Sequence, residues 1–392
     1  MASVPMFQPS SEFREAFVSR GGDSAMRCYQ CATCSSVCEL APEDAPFPRR
    51  QVLWAQWGLV DRLVSDSGPW LCHQCNDCSV RCPRDVGPGD VMAAIRSMVV
   101  QNLATPSFMG KLVGNVKVSW PLLVFGPLLF WIVLLGATTG LHIPGVDGDL
   151  GALDGRFHYE HFVPHILIYS VYFTATGLVL IALWASGRKY WNLLGNGVQR
   201  SGSFIGNLVP ALVDVATHKK FSQCEGGIPK RRWGHFLVMW GFVGAAVTSG
   251  FAVVYLYKEY VPFSWFMPAT APTYPVPLDH WVKWLGNISA IALVVGGILL
   301  YLNRINIGNK LVGATTAFDR FFLWIVLSVI GTGVLTEAFR FMAIPPVVAC
   351  AIYLIHLSVV LTLFLTLPYS KFAHILYRTL AMVHERMATT DT

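Results

Sequence analysis

Six long apolar stretches constrain the fold of this chain more than any other feature of its sequence. They lie at residues 118–140, 161–185, 235–257, 281–302, 321–342 and 348–368. Each is long enough to cross about 30 Å of hydrocarbon as an α-helix, which takes about 20 residues. Only 13% of all residues are charged, about half the share that is usual in soluble domains. The sequence therefore predicts a mainly α membrane protein with six transmembrane helices.

The basic residues of the connecting loops predict how this bundle is oriented. Loops 186–234 and 303–320 and the C-terminal end are rich in Lys and Arg, whereas loops 141–160 and 258–280 hold only Arg156 and Lys258. Basic loops stay in the cytoplasm, so we expect the N-terminal domain and the C-terminus there. The first residues show no basic segment followed by an apolar run, so no signal peptide is expected. The predicted location is the cytoplasmic (inner) membrane, with several passes.

Eight of the ten cysteines fall into two runs that share the spacing C-x2-C-x2-C-x3-C, the second followed by Pro83. This is the spacing of bacterial ferredoxins with two [4Fe–4S] clusters, in which the fourth Cys of each run ligates the other cluster. Zinc sites more often use two pairs of ligands. We therefore predict one cluster on Cys28, Cys31, Cys34 and Cys82, and the other on Cys72, Cys75, Cys78 and Cys38.

The polarity of the chain and its cysteines together predict three segments. Residues 1–115 are expected to form a small helical, ferredoxin-like domain with two [4Fe–4S] clusters on the cytoplasmic side. Residues 116–378 are expected to form the transmembrane bundle, and residues 379–392 a cytoplasmic tail.

Two histidines near the C-terminus, His356 and His374, are separated by 18 positions. On one continuous helix that is five turns, so both would face the same way, about 27 Å apart. Pro368 is expected to kink such a helix somewhat, but the spacing still predicts two b-type haems stacked across the membrane. A lone intramembrane histidine can also be a buried polar contact, but ionisable groups inside a membrane are costly and usually functional.

The second ligands of these haems are less clearly marked. His235, at the start of the third apolar stretch, is the candidate partner of His374. His158, His161 and His165 share one face by helical spacing, and His165 is favoured as partner of His356 because it lies deepest. No C-x-x-C-H sequence occurs, so covalently attached haem is not expected. The candidates for the second ligand of the outer haem are His165, His161 and His280.

A quinone site requires a proton acceptor close to a haem, and two polar groups near the outer face qualify. Asp279, His280 and Lys283 lie together at the start of the fourth apolar stretch, and Glu337 and Arg340 lie near the end of the fifth. Polar residues at helix ends are more often interfacial anchors, so both interpretations stay open here.

Residues 46–86, PFPRRQVLWAQWGLVDRLVSDSGPWLCHQCNDCSVRCPRDV, resemble part of a known iron–sulfur domain. Over roughly residues 22–100 the chain resembles the ferredoxin-like domain of heterodisulfide reductase C subunits, with its Pro-Arg-Arg entry and Trp-Leu-Cys approach. The resemblance implies a mostly helical domain with two clusters. It does not single out one enzyme, because succinate- and glycolate-type oxidoreductases use related domains.

The C-terminal part resembles a second family. Residues 356–376, HLSVVLTLFLTLPYSKFAHIL, resemble the last membrane helix of the gamma subunit of respiratory nitrate reductase, and residues 296–321 resemble its mid-bundle loop. That family is a di-haem cytochrome b, and its two ligands in this helix correspond to His356 and His374. Its other two ligand positions correspond to Met239 and Ser249 here, which leaves the second ligands in doubt.

The two parts fused in this order resemble the C subunits of the quinone-interacting membrane-bound oxidoreductases (Qmo) of sulfate reducers. This resemblance implies menaquinol or menaquinone as membrane substrate, QmoA- and QmoB-like flavin and iron–sulfur subunits as partners, and adenylylsulfate reductase as acceptor. It implies an electron-transfer subunit of a quinone-dependent oxidoreductase that is not catalytic alone and binds no nucleic acid. Alternatives are the equivalent subunit of a heterodisulfide-reductase-like or sulfite-pathway complex and, in another class, an iron–sulfur membrane sensor or transporter.

Overall fold

The computed structural model describes residues 8–43, 45–146, 157–195, 198–218, 220–221, 229–258, 276–305, 310–342 and 344–388. All regular elements in these ranges are helices, which confirms the mainly α fold that the sequence predicts. Arg156, Cys224 and residues 389–392 lie outside the described residues.

The described N-terminal region contains short helices around one longer one. Its core is α7, whose buried residues include Val91 and Ile95, and Pro88 in its first turn suits a position where no backbone N–H is required. The helices are α1 (Ser11–Phe17), α2 (Thr33–Ser36), α3 (Arg49–Gln56), α4 (Val60–Val64), α5 (Gly68–Leu71), α6 (Asp77–Val80), α7 (Pro88–Leu103) and α8 (Ser107–Gly114).

The described residues contain six helices that are long and apolar enough to cross a membrane, which confirms the predicted number. Their ends differ from the apolar stretches by a few residues. For example, α14 begins at Ala317 because Thr316 and Asp319 form a reciprocal capping box there. The six are α9 (Val116–Thr138), α10 (His165–Leu194), α12 (Pro229–Leu256), α13 (Trp281–Arg304), α14 (Ala317–Phe341) and α15 (Pro346–Thr366).

The six helices pack as neighbours along the chain and across it. The α12–α13 pair is the most intimate, because a Cβ atom on Gly296 would lie 2.9 Å from the carbonyl oxygen of Gly234. Small residues allow such close approach between membrane helices. Helix α15 contacts α9, α10 and α14, and α14 joins this group to α13.

The continuous helix predicted through His356 and His374 is not formed, and the prediction was wrong in this respect. Helix α15 ends at Thr366, two short 3-10 turns follow at Leu367–Tyr369 and Lys371–Ala373, and α16 (His374–Met387) begins at the histidine itself. Pro368 lies in the break, and proline lacks the N–H that would continue a helix. Five turns of one continuous helix therefore do not place both histidines on one face.

The helical face predicted for His158, His161 and His165 is also not formed. His165 is the first residue of α10, whereas His161 ends a separate 3-10 turn, Tyr159–His161. Pro164 separates the two elements in the sequence, and the residue before a proline is disfavoured in helical conformation.

The N-terminal domain and the ends of α10 and α16 that pack against it share one hydrophobic core. The ring of Trp70 stacks on that of Tyr377 in α16 at 4.8 Å and meets the edge of Tyr190 in α10 at 6.2 Å. Ala381 and Val383 are fully buried, so residues 379–387 of the predicted tail form the second half of α16 and belong to this core.

Candidate functional site

The two cysteine runs fold into matching loops, named here the first cysteine loop (residues 28–34) and the second cysteine loop (residues 72–78). The residues with positive φ are Gln30 and Ala32 in the first and Gln74 and Asn76 in the second. The backbone N–H of Gln30 donates to Cys28 Sγ at 3.4 Å, and that of Gln74 donates to Cys72 Sγ at 3.3 Å. The repeat in sequence is therefore also a repeat in backbone conformation.

The fourth cysteine of each run lies with the opposite loop. Cys28 interacts electrostatically with Cys82 as well as with Cys31. Cys38 interacts with Cys72 and Cys75. The crossed ligation itself stays a prediction from the spacing of two-cluster ferredoxins.

The chemistry of these thiols fits a bound iron–sulfur cluster. Burial raises the pKa of Cys34 and of Cys38 to about 11, so their thiolates need positive charge close by, which bound iron supplies. Among the described residues, no three His, Cys, Asp or Glu side chains come close enough to hold one metal ion. In a cubane each thiolate binds a different iron atom, so wider spacing is expected there than around a single zinc.

Three histidines meet where the bundle faces the N-terminal domain. The rings of His235 in α12 and His374 in α16 have centroids 5.9 Å apart. Nδ1 of His235 is 2.7 Å from Nε2 of His218, and Nδ1 of His374 is hydrogen-bonded to the carbonyl oxygen of Lys371. Each facing ring thus has Nδ1 engaged and Nε2 available, the arrangement usual for a metal-binding imidazole.

His218 was not singled out from the sequence, although it lies beside the predicted pair. It follows α11 (Phe204–Thr217) as its C-terminal cap, in a left-handed conformation with φ of 52°. The amphipathic pattern of residues 204–217 predicts a helix that ends just before His218. That pattern is the sequence signal from which the position of His218 could have been inferred.

His356 lies ten residues into α15, about 15 Å from the start of the helix. That is closer to the middle of the span than to its outer end. Its Nδ1 is 3.0 Å from the hydroxyl oxygen of Thr332 in α14. A Cβ atom on Gly333 would lie 3.1 Å from Cε1 of the imidazole, so the glycine makes room for the ring. His356 therefore also keeps Nε2 available for a metal.

The structure does not bring His356 into contact with any predicted second ligand of the outer haem. Its described contacts are with α14. The ring centroids of His165 and Tyr169 are 6.1 Å apart, with the rings stacked. Those of His161 and His158 are 6.0 Å apart. His280 accepts a hydrogen bond from the backbone N–H of Val282 at the start of α13.

One ion pair joins the two polar groups predicted near the outer face. Nζ of Lys283 in α13 lies 2.5 Å from Oε1 of Glu337 in α14. One turn along α14, Nη2 of Arg340 is buried without a hydrogen-bond partner in the described part of the chain. Asp279 is exposed. The site thus combines a carboxylate, an ammonium group and a guanidinium group at the outer end of the bundle.

Two arginines join the second cysteine loop to the histidine cluster, and neither was singled out from the sequence as a site residue. Arg231 donates to the carbonyl oxygen of His73 at 2.7 Å and to that of Gln74 at 2.5 Å. Arg378 donates through Nη2 to Nε2 of His73. Burial, and then the charges of Arg378 and Arg231, hold the pKa of His73 well below its usual range, so the neutral ring accepts this hydrogen bond.

Two separate ranges of the chain match known protein families. Residues 24–86 match the 4Fe-4S dicluster domain family. Over 88 residues the chain is 38% identical to a protein of Archaeoglobus profundus that is itself described as like the heterodisulfide reductase C subunit, covering 22% of this chain and 47% of that protein. It is 39% identical over 87 residues to the C subunit of the H(2):CoB-CoM heterodisulfide,ferredoxin reductase of Methanothermobacter thermautotrophicus, covering 22% and 46%. The chain spans about half the length of these two relatives.

Another relative matches most of the chain. The chain is 28% identical over 331 residues to citrate utilization protein B of Escherichia coli, which covers 79% of this chain and 78% of that protein. The match does not mark the membrane half as a cytochrome b. Residues 129–391, more than half of the chain, match the citrate utilization protein B family; the chain therefore belongs to that family and carries an N-terminal 4Fe-4S dicluster domain similar to heterodisulfide reductase C subunits.

Proposed function

We propose that this protein is the membrane subunit of an oxidoreductase and passes electrons between a quinone and a cytoplasmic redox partner through b haems and two [4Fe–4S] clusters. The observation that carries the proposal is the facing pair His235 and His374, with both Nε2 atoms available, beside the second cysteine loop. Bound haem and clusters would supply the one-electron redox chemistry, and the protein would position them and adjust their potentials.

Different residues would hold the different cofactors. Crossed thiolate sets, one of Cys28, Cys31, Cys34 and Cys82 and one of Cys72, Cys75, Cys78 and Cys38, would hold the clusters. His235 and His374 would hold the inner haem, with His218 orienting His235 through its Nδ1. His356 would hold the second haem. The second ligand for His356 is open among His165, His161 and His280, with His165 favoured by the sequence.

The outer polar site is the proposed place of quinone chemistry. Oxidation of a quinol releases protons, and the Glu337 carboxylate beside Lys283 offers an acceptor near the outer end of the bundle. The unpartnered guanidinium atom of Arg340 offers a hydrogen bond to a quinone oxygen. His280 lies at the start of the same helix as Lys283 and completes the set. Menaquinone is the quinone implied by the resemblance to the Qmo C subunits.

The partner and the pathway are proposed on resemblance. The fused architecture favours QmoA- and QmoB-like subunits with adenylylsulfate reductase as acceptor, in sulfate respiration. A second candidate keeps the electron-transfer role but takes an enzyme of citrate utilization as partner. The family match over residues 129–391 favours that candidate. Identification of the subunits that purify with the intact complex separates the two.

Haem stoichiometry tests the proposal directly. We expect the wild-type protein to bind two b haems, and His356→Ala and His374→Ala to lose one each while both iron–sulfur signals remain. His235→Ala should reproduce the loss seen in His374→Ala. His142→Ala, in the turn after α9, is the matched control and should keep both haems. The measurements are the pyridine haemochrome assay and EPR of each purified variant.

Two outcomes would contradict the proposal. Full haem content in both the His356 and His374 variants would remove the ligand assignment. A wild-type protein with clusters but no haem signal in its reduced-minus-oxidised spectrum would favour the membrane sensor or transporter instead.

A further inference from the structure

The two cysteine loops share one backbone conformation but place the residue after their first cysteine in opposite environments. In the first loop this residue is Tyr29, whose surface is 71% exposed. In the second it is His73, which is 6% exposed. The difference is not a property of the loop fold, because both loops have the same positive-φ positions and the same N–H to Sγ bond. It arises from what covers each loop.

The second cysteine loop is covered by the membrane bundle. Besides the bonds from Arg231 and Arg378 to His73 and Gln74, the side-chain amide of Asn76 donates to the carbonyl oxygen of Leu311 at 3.3 Å. Gly313, with φ of +75°, lies so close that a Cβ atom there would be 2.6 Å from the same amide. Polar contacts from three separate segments of the bundle therefore hold this loop.

The two arginines come from the helices that carry the proposed inner haem ligands. Arg231 precedes His235 by four residues on α12, and Arg378 follows His374 by four residues at the start of α16. Residues four apart lie on the same side of a helix. Each helix can thus present its histidine to the haem and its arginine to the second cysteine loop. The Phe221 ring lies between the two histidines. Its centroid is 4.4 Å from that of His73 and 6.0 Å from that of His235.

The first cysteine loop is partly open to solvent. Cys31 is exposed, and its thiol contacts the hydroxyl of Thr33 at 3.4 Å. The guanidinium group of Arg84 lies 4.0 Å above the Tyr29 ring. Arg27 is half exposed and pairs with Asp85 at 3.9 Å. Tyrosine and arginine are the residues that interfaces with other proteins most favour.

We propose that the two loops have different electron-transfer partners. The second cysteine loop, through His73, exchanges electrons with the membrane haem. The first, beneath Tyr29 and Arg84, exchanges them with a soluble redox protein that has an acidic docking face. The inference rests on the proposed function and adds the order of the carriers. In the inner step one electron leaves ferrous haem, which becomes ferric, and enters the cluster of the second loop. No proton moves and no bond forms or breaks. The reverse step returns it.

Electron transfer between the haem and the second cysteine loop is tested by substituting the equivalent residues of the two loops in the full-length purified protein. After rapid mixing with menadiol, a soluble quinol, electron transfer from haem to cluster should be about tenfold slower in His73→Leu, the usual size of an outer-shell defect. His73→Gln can still accept from Arg378 and should restore most of the rate. Tyr29→Leu should leave this rate near that of the wild type. Redox titration should show a shifted cluster potential in His73→Leu with haem and iron contents unchanged.

The exposure of the first cysteine loop is tested by EPR with a dysprosium–EDTA complex, an anionic relaxation agent that stays in water. Cys31→Ser and Cys75→Ser assign the two cluster signals to their loops. Only the signal of the first loop should relax faster when the complex is added, and Arg84→Glu should weaken that effect because it removes the attraction for an anion.

The outcomes separate this inference from the proposed function. A protein without haem, or one that menadiol does not reduce, would contradict the function itself. A haem-containing protein in which Tyr29→Leu slows haem-to-cluster transfer as much as His73→Leu, or in which the agent relaxes the second-loop signal more strongly, would overturn the order of the carriers.

Discussion

At the scale of single residues, the three candidate haem ligands share one feature. His235, His374 and His356 each have Nδ1 engaged, with His218, a backbone carbonyl and the Thr332 hydroxyl respectively. A partner on Nδ1 fixes the ring orientation and leaves Nε2 for the metal. In each of the three, Nε2 is the nitrogen that a haem iron would use.

Two glycines of α14 allow the space around His356 to be tested. Gly333→Val should displace the imidazole and remove one haem, because even a Cβ atom there would lie 3.1 Å from the ring. Gly331→Val should keep both haems, since a Cβ atom at that position meets nothing within 4 Å. The pyridine haemochrome assay measures both. Equal haem content in the two variants would mean that His356 holds no haem.

At the scale of elements, the break between α15 and α16 decides where His374 lies. Lys371 in the break forms an ion pair with Asp319, and Asp319 also accepts from the backbone N–H of Thr316 at 2.9 Å. The break is therefore tied to the first turn of α14. Without it, His374 would continue along α15 rather than begin a helix against the N-terminal domain.

Removing the lysine should destabilise this connection. We expect Lys371→Met to lower the free energy of unfolding by about 2 kcal/mol, less than the 3–5 kcal/mol of a fully buried pair, because Lys371 is partly exposed. Adding Asp319→Asn should recover part of the loss, since no unpaired charge then remains buried. Lys310→Met, which breaks an exposed pair with Asp85, should cost about 0–1 kcal/mol. Thermal loss of the cluster absorbance in detergent provides the comparison, and equal effects of the two lysine substitutions would contradict it.

At the scale of the whole molecule, the packing joins the cysteine loops, the described parts of the 186–234 segment and the C-terminal helix. The backbone N–H of Ser201 donates to the carbonyl oxygen of Met387 at 2.8 Å, and α16 packs against α5 of the N-terminal domain and against α11. We therefore expect these segments to lie on one side of the membrane, and the basic residues of loop 186–234 predict the cytoplasmic side.

Labelling tests this topology. In intact spheroplasts a membrane-impermeant maleimide should label Asp279→Cys, at the exposed start of α13, and should not label Ser201→Cys until the membrane is opened. The wild-type protein, with its native cysteines, provides the background. Labelling of Ser201→Cys from outside would reverse the proposed orientation.

The sequence by itself determined the features that depend on short segments. Six helices follow from six apolar stretches, because the cost of leaving backbone N–H and C=O groups unpaired in lipid forces each stretch into a helix. The paired cysteine loops follow from ligand spacing, because one run of about ten residues has to wrap its own cluster. His356 and His374 were found in the same way, although the helix assumed to join them is broken at Pro368.

Only the tertiary structure decided which distant groups meet. His218, His235 and His374 come from three helices, and the bonds from Arg231 and Arg378 to His73 join residues 158 and 305 positions apart. No local pattern encodes such contacts, since they depend on how α11, α12 and α16 pack around one shared core. The same packing buries His73 and leaves Tyr29 exposed, although the two residues occupy equivalent positions in a repeated motif. The physical reason is that a loop conformation is set by its own dihedral angles and bonds, whereas its environment is set by the elements that cover it.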